Sequence, residues 1–118
     1  MLKTALEEAT RRVPGCRAAA LVGRDGIVVE HWSSGAGPAV EALAGELTPL
    51  LRAVESLATQ TDAGELREIL VRLASWSCLV KPMTEEIFLV IVADSDTVPG
   101  RLRFEALRAS SRFEAELR

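Results

Sequence analysis

Apolar positions along this chain change period several times, and each change marks an element. From Leu2 to Val13 they fall at 2, 5, 6, 9 and 13, the spacing of one amphipathic helix, and Pro14-Gly15 ends it. Arg17 to Gly23 (RAAALVG) is a nearly continuous apolar run. Arg24-Asp25-Gly26 then predicts a tight turn, because glycine tolerates the positive φ that hairpin turns require. The β-branched Ile27 to Trp32 (IVVEHW) is the second strand of that hairpin, and Ser33 to Pro38 is a loop. A long helix is expected from Ala39 to Thr59, and Asp62-Ala63-Gly64 turn the chain after it. Leu66 to Ala74 (LREILVRLA) would suit a helix on propensity. We read it as a strand because Trp76–Lys81 and Ile87–Ala93 follow at hairpin spacing, joined by a turn over Pro82–Glu86. Pro99 can open the last helix at its first position, with Leu102, Ala106, Ala109, Phe113 and Leu117 on its buried side. The order is helix, two strands, helix, three strands, helix. Several strands are apolar on successive residues, which implies burial on both faces of the sheet.

The middle helix has two unlike sides. Val40, Leu43, Ala44, Leu47, Leu50, Leu51, Val54, Leu57 and Ala58 fall within an arc of roughly 140° and are expected to pack on the sheet. Ala42, Gly45, Pro49, Ala53 and Ser56 lie opposite, within roughly 80°. A solvated helix face normally carries Glu, Lys and Gln, yet from Ala39 to Thr59 the only charges are Glu41, Glu46, Arg52 and Glu55. Small residues at this spacing let another backbone come close, so this side is expected to meet a second copy or a partner. Pro49 cannot donate to the carbonyl four residues back, and its ring crowds that carbonyl. Having Gly at 45 eases the strain.

Length and charge narrow the classes. The 118 residues fit one domain. A net charge of -3, with basic residues interleaved among acids, argues against nucleic acid as the main partner. The longest apolar run, Ile87 to Ala93, is far below the roughly 20 residues of a membrane helix, and the opening MLKTALEEATRR is not a signal peptide. Cys16 and Cys78 form no CxxC pair and are expected as reduced, buried thiols of a cytoplasmic protein.

Catalytic groups are not evident. No GxxxxGK[ST] occurs, and Gly23 and Gly26 flank a hairpin turn rather than a helix start, so no nucleotide loop is expected. His31 has no second His or Cys to support a metal. Glu85 and Glu86 sit in a turn as solvated charge, and Trp32 and Trp76 are expected to pack under helices. Glu105, Glu114 and Glu116 offset the arginines of the last helix, among them Arg108, Arg112 and Arg118, as a soluble face. Arg52 is the one cation on the middle helix, and thus the only candidate there for an arginine finger offered in trans. We read it as a solvated charge. No catalytic residue, cofactor or metal is assigned.

The hairpin AALVGRDGIVVEHW, the helix VEALAGELTPLLRAVESLA, and the segments LREILVRLA and CLVKPMTEEIFLVIVAD together resemble the Roadblock/dynein light chain domain, in the bacterial form of the gliding-motility protein B group. The closing VPGRLRFEALRASSRFEAEL matches in kind. The resemblance covers nearly the whole chain, as a single domain over 1–118. It implies an α/β (α+β) profilin-like or longin-like fold. Five antiparallel strands would run in the order 2-1-5-4-3, with the middle helix on one face and the terminal helices on the other. It also implies a homodimer in which middle helices pack together and third strands pair edge to edge. Carried onto this chain, the interface is Ala42, Gly45, Pro49, Arg52, Ala53 and Ser56 on the helix, with Leu66, Ile69, Val71 and Leu73 on the edge strand. The family further implies a Ras-like small GTPase as partner, either activated by the protein or co-regulated by it. The alternative is a pure scaffold in a GTPase or sensor-kinase complex that leaves GTP hydrolysis unchanged.

Overall fold

The computed structural model describes residues 2–117, with the side chains of 2–115. Helix α1 (Leu2–Arg11) is followed by β1 (Cys16–Gly23), β2 (Val28–Ser33), α2 (Val40–Gln60), β3 (Ile69–Arg72), β4 (Trp76–Pro82), β5 (Ile87–Asp94) and α3 (Pro99–Leu117). The strands form one antiparallel sheet in the order β2-β1-β5-β4-β3. The β1–β2 and β4–β5 hairpins therefore lie side by side, β1 pairs with β5 between them, and α2 carries the chain from the β2 edge to the β3 edge.

Successive side chains of a strand point to opposite faces, and here both faces are covered. Ala18, Ala20 and Val22 of β1 join Phe88, Val90 and Val92 of β5 beneath Val40, Ala44, Leu47 and Leu51 of α2. On the other face Ala19, Leu21, Leu79, Leu89 and Ile91 pack against Leu6 of α1 and Leu102 and Phe113 of α3. Leu21, Leu51, Leu89 and Phe113 are fully buried. The layering of terminal helices on one face and α2 on the other is as expected. Trp32 packs beside the two-helix layer and Trp76 beside α2.

The ends are tied by specific contacts. Gly26 closes the β1–β2 turn at φ 87, and the Asp25 carboxylate accepts from the Ile27 N–H at 3.0 Å. Gly15, at φ 72, leaves room for Asp94, whose carboxylate would lie 2.7 Å from any added Cβ. That carboxylate accepts from Arg17 of β1.

Several expectations need correction. Leu66 to Ala74 is a strand only over Ile69–Arg72. Leu66 lies on its approach, and Leu73 lies past its end, 49% exposed, with its N–H donating to Trp76 O at 2.9 Å in the hairpin turn. Ile27 precedes β2 and is exposed. Glu105 is not a solvated charge: it is 3% exposed, against Arg101 and Arg108 at 3.6 and 3.5 Å. Its position, between Leu102 and Ala109 on the buried stripe, was the available signal. Leu117 and Glu116 lie outside the described side chains, and Arg118 outside the described residues.

Candidate functional site

Helix α2 is positioned by four side chains that reach the sheet, and by one polar residue on the same side. Val40, Ala44, Leu47 and Leu51 are each at most 6% exposed. Thr48 is buried among them, and its hydroxyl satisfies itself on the Ala44 carbonyl at 2.7 Å. Burying a polar group without such a bond would be costly. At the C-terminal end Thr61 donates both its N–H, at 3.0 Å, and its hydroxyl, at 2.7 Å, to Leu57 O.

The opposite side is open along its small residues. Ala42, Gly45, Pro49, Arg52, Ala53 and Ser56 are all exposed. Outside its own helix backbone, a Cβ built on Gly45 finds no atom within 4 Å, so no packed neighbour in the chain demands glycine there. The apolar arc is narrower than its spacing predicted: Leu50 is 38% exposed and Leu57 60%, while Leu43, Val54 and Ala58 are half-buried. Leu50 and Leu57 flank the small residues because a single helix on a sheet can bury only the strip it rests on. The outer side is thus a bare ridge with leucines at its margin.

Arg52 is engaged within the chain. Its guanidinium donates to the Arg24 carbonyl at 2.8 Å, tying α2 to the β1–β2 turn. Arg24 completes the tie with donations to both carboxylate oxygens of Glu55, at 2.6 and 2.7 Å, and its backbone N–H reaches Glu86 O at 2.8 Å. Sequence reading missed this clamp, since nothing in local spacing relates residues 24, 55 and 86. Beside it an open groove of about 820 Å³ runs between the end of α2, the approach to β3 and the β4–β5 turn. Arg67, Lys81, Asp62 and Glu65 mix charges along it.

At the sheet margin, Leu66, Ile69 and Val71 are half-buried against the α2-side core, while Leu70 turns to the other face. The structure thus sets Ile69 and Val71 on the same side of the sheet as α2, with Leu73 apart from them beyond the strand end.

Reactive groups do not converge. His31 lies on β2, opposite Ala20. Cys16 borders the two-helix layer and Cys78 the α2 side, so the sheet separates the two free thiols. Burial pushes the Cys16 thiol up to about 12, with the nearby Asp94 charge adding to it against the Ala18 carbonyl, and pushes Cys78 up to about 11. Neither is a thiolate near neutrality. Among the described residues no group of three His, Cys, Asp or Glu side chains is placed to hold a metal ion, and no helix is long and apolar enough to cross a membrane.

A five-stranded sheet in this order, two helices behind it and one in front, defines a profilin-like fold. Residues 2–93 match the family model described as the Roadblock/LC7 domain, and the chain belongs to that family. The gliding protein MglB of Thermus thermophilus is similar, with 25% identity and a TM-score of 0.85 over 97% of this chain and 86% of that one. MglB of Myxococcus xanthus superposes with a TM-score of 0.88 at 17% identity, over 98% and 94%. Profilin II of Acanthamoeba castellanii shares the fold at a TM-score of 0.62 and 17% identity, over 98% of each chain. No curated protein matches.

Proposed function

We propose that this chain is a non-catalytic, homodimeric regulator of a Ras-like small GTPase, acting through surface complementarity. The observation that carries the reading is the bare outer side of α2. It is apolar and small where a solvated helix would be charged, and it holds a glycine that no packed neighbour in its own chain requires. Ile69 and Val71 of edge strand β3 face the same side of the sheet as α2, and a twofold partner that covered both would remove an open edge. Ala42, Gly45, Pro49, Arg52, Ala53, Ser56, Leu66, Ile69 and Val71 make this interface, with Leu73 at its rim. Family membership and the likeness to MglB support a GTPase as the second partner.

The engagement of Arg52 with the Arg24 carbonyl favours action without an arginine finger. The protein would then rearrange the GTPase's own residues, or act as a scaffold that holds it. Two experiments test the reading. Ala42→Glu with Ala53→Arg should convert a dimer to a monomer by light scattering, and an unchanged mass would defeat the interface. Adding the chain to the small GTPase encoded nearest to it should speed phosphate release. Binding without acceleration would leave the scaffold, and absence of binding would reject both.

A further inference from the structure

The sheet has two edges, β2 and β3, and only one of them is guarded. His31 stands opposite Ala20 of β1, but neither of its backbone groups is spent on β1. Its N–H donates to the Glu30 carboxylate at 3.2 Å, and its carbonyl accepts from Lys3 of α1 at 3.1 Å. In an antiparallel ladder, residues of alternate pairs turn both groups outward, so these are the groups an added strand would use. Lys3 and Glu30 also pair with each other at 3.6 Å. The register shifts between Leu21 and Val22, which pair with Glu30 and Val28. This leaves Val29 as one extra residue, a bulge that twists an edge out of line. Edge β3 has an unbroken register from Ile69 to Arg72. Among the described residues no side chain hydrogen-bonds its backbone.

We propose that Lys3 and Glu30 form a two-pronged cap on the β2 edge, which excludes strand addition there and confines sheet pairing to β3. A chain with two open edges would join head to tail into open assemblies, whereas one guarded edge permits only a closed pair. The cap acts through occupancy of one N–H and one C=O, so the stabilising energy of an exposed ion pair, which is small, does not limit it. The inference does not depend on whether the chain regulates a GTPase.

The test is sedimentation velocity from micromolar to millimolar protein. Lys3→Ala with Glu30→Ala should form species at least twice the mass of the largest wild-type species, increasing with concentration. Adding His31→Pro, which deletes the outward N–H, should return the mass to the wild-type value. Lys3→Ala alone, which frees only the carbonyl, should shift mass less in the same direction, and it carries the test if the double variant does not fold. An unchanged mass in the capless variants would overturn the cap. So would a rise that His31→Pro fails to reverse, because association would then run through another surface.

Discussion

The two faces of the sheet are covered to different degrees. One bears α1 and α3, whose small residues Ala5, Ala9, Ala106 and Ala109 pack between them. The outer charges of that pair are joined to each other: Arg112 to Glu8, and Arg101 and Arg108 to the buried Glu105. The other face bears α2 alone, which rests on Leu47 and Leu51 and leaves Leu50 and Leu57 uncovered at its flanks. Two helices hide each other's facing sides, although α3 still leaves Phe104 and Leu107 exposed, 55% and 57%, on its outer side. Helix α2 has no neighbouring helix on its own face of the sheet, so its leucines are bare beside a ridge of small residues.

The sharpest way to break this contrast is in the cores. Phe113 is 0% exposed in the two-helix layer, and Phe113→Ala should cost about 3–5 kcal/mol of unfolding free energy, read by urea titration. Leu51, also 0% exposed, should cost about 2–5 kcal/mol as Leu51→Ala. Its helix neighbour Leu57, 60% exposed, should cost under about 0.5 kcal/mol in the monomer, yet weaken self-association. Equal losses at 51 and 57 would mean that α2 is covered on both sides within one chain.

The difference between Leu51 and Leu57 also marks where sequence reading stopped. Periodicity gave the helices and the core of each buried stripe, because the period of burial is a local property of the chain; the third strand came instead from the hairpin spacing of the two strands after it. It could not give the width of the stripe, which depends on how many neighbours a helix has. The Leu66–Ala74 strand was too long for the same reason. Apolar residues flank Ile69–Arg72 at Leu66 and Leu73, but pairing with β4 begins only at Ile69 opposite Val80 and ends at Arg72 opposite Ser77. The outer side of α2 was evident from residue type alone, since Ala42, Gly45, Pro49, Ala53 and Ser56 lack the charges solvent favours. The clamp of Arg24 on Glu55 and the reach of Lys3 to Glu30 and His31 join residues distant in sequence, and no local pattern announces them.

A smaller effect separates the two faces by pH. The thiols of Cys16 and Cys78, one bordering each layer, are held by burial up to about 12 and about 11, against an ordinary 9.0. The unfolded chain loses these protons first, so the stabilising contribution is full below pH 9 and falls as pH rises through the folded values. By pH 10 each thiol should have cost about 1.4 kcal/mol of stability. Denaturant melts between pH 8 and pH 10 should fall for wild type, and by about half as much for either single Cys→Ala variant. A wild-type stability that is flat across this range would mean that the thiols are not buried in solution.

The smallest effect has the opposite sign. Glycine inside a helix is worse than alanine by about 0.5–1 kcal/mol, through the backbone freedom it loses on folding. At Gly45 an added methyl meets open space, and nothing in the fold repays that cost within one chain. Gly45→Ala should therefore stabilise the monomer by about 0.5–1 kcal/mol. It should also push apart whatever backbone approaches the ridge, so dissociation should be detectable by light scattering on dilution. The two readouts diverge only if the glycine is kept for a neighbour. A gain in stability with unaltered association would place the contact elsewhere on α2. A loss of stability would mean instead that Gly45 relieves the crowding from Pro49, one turn along the same helix.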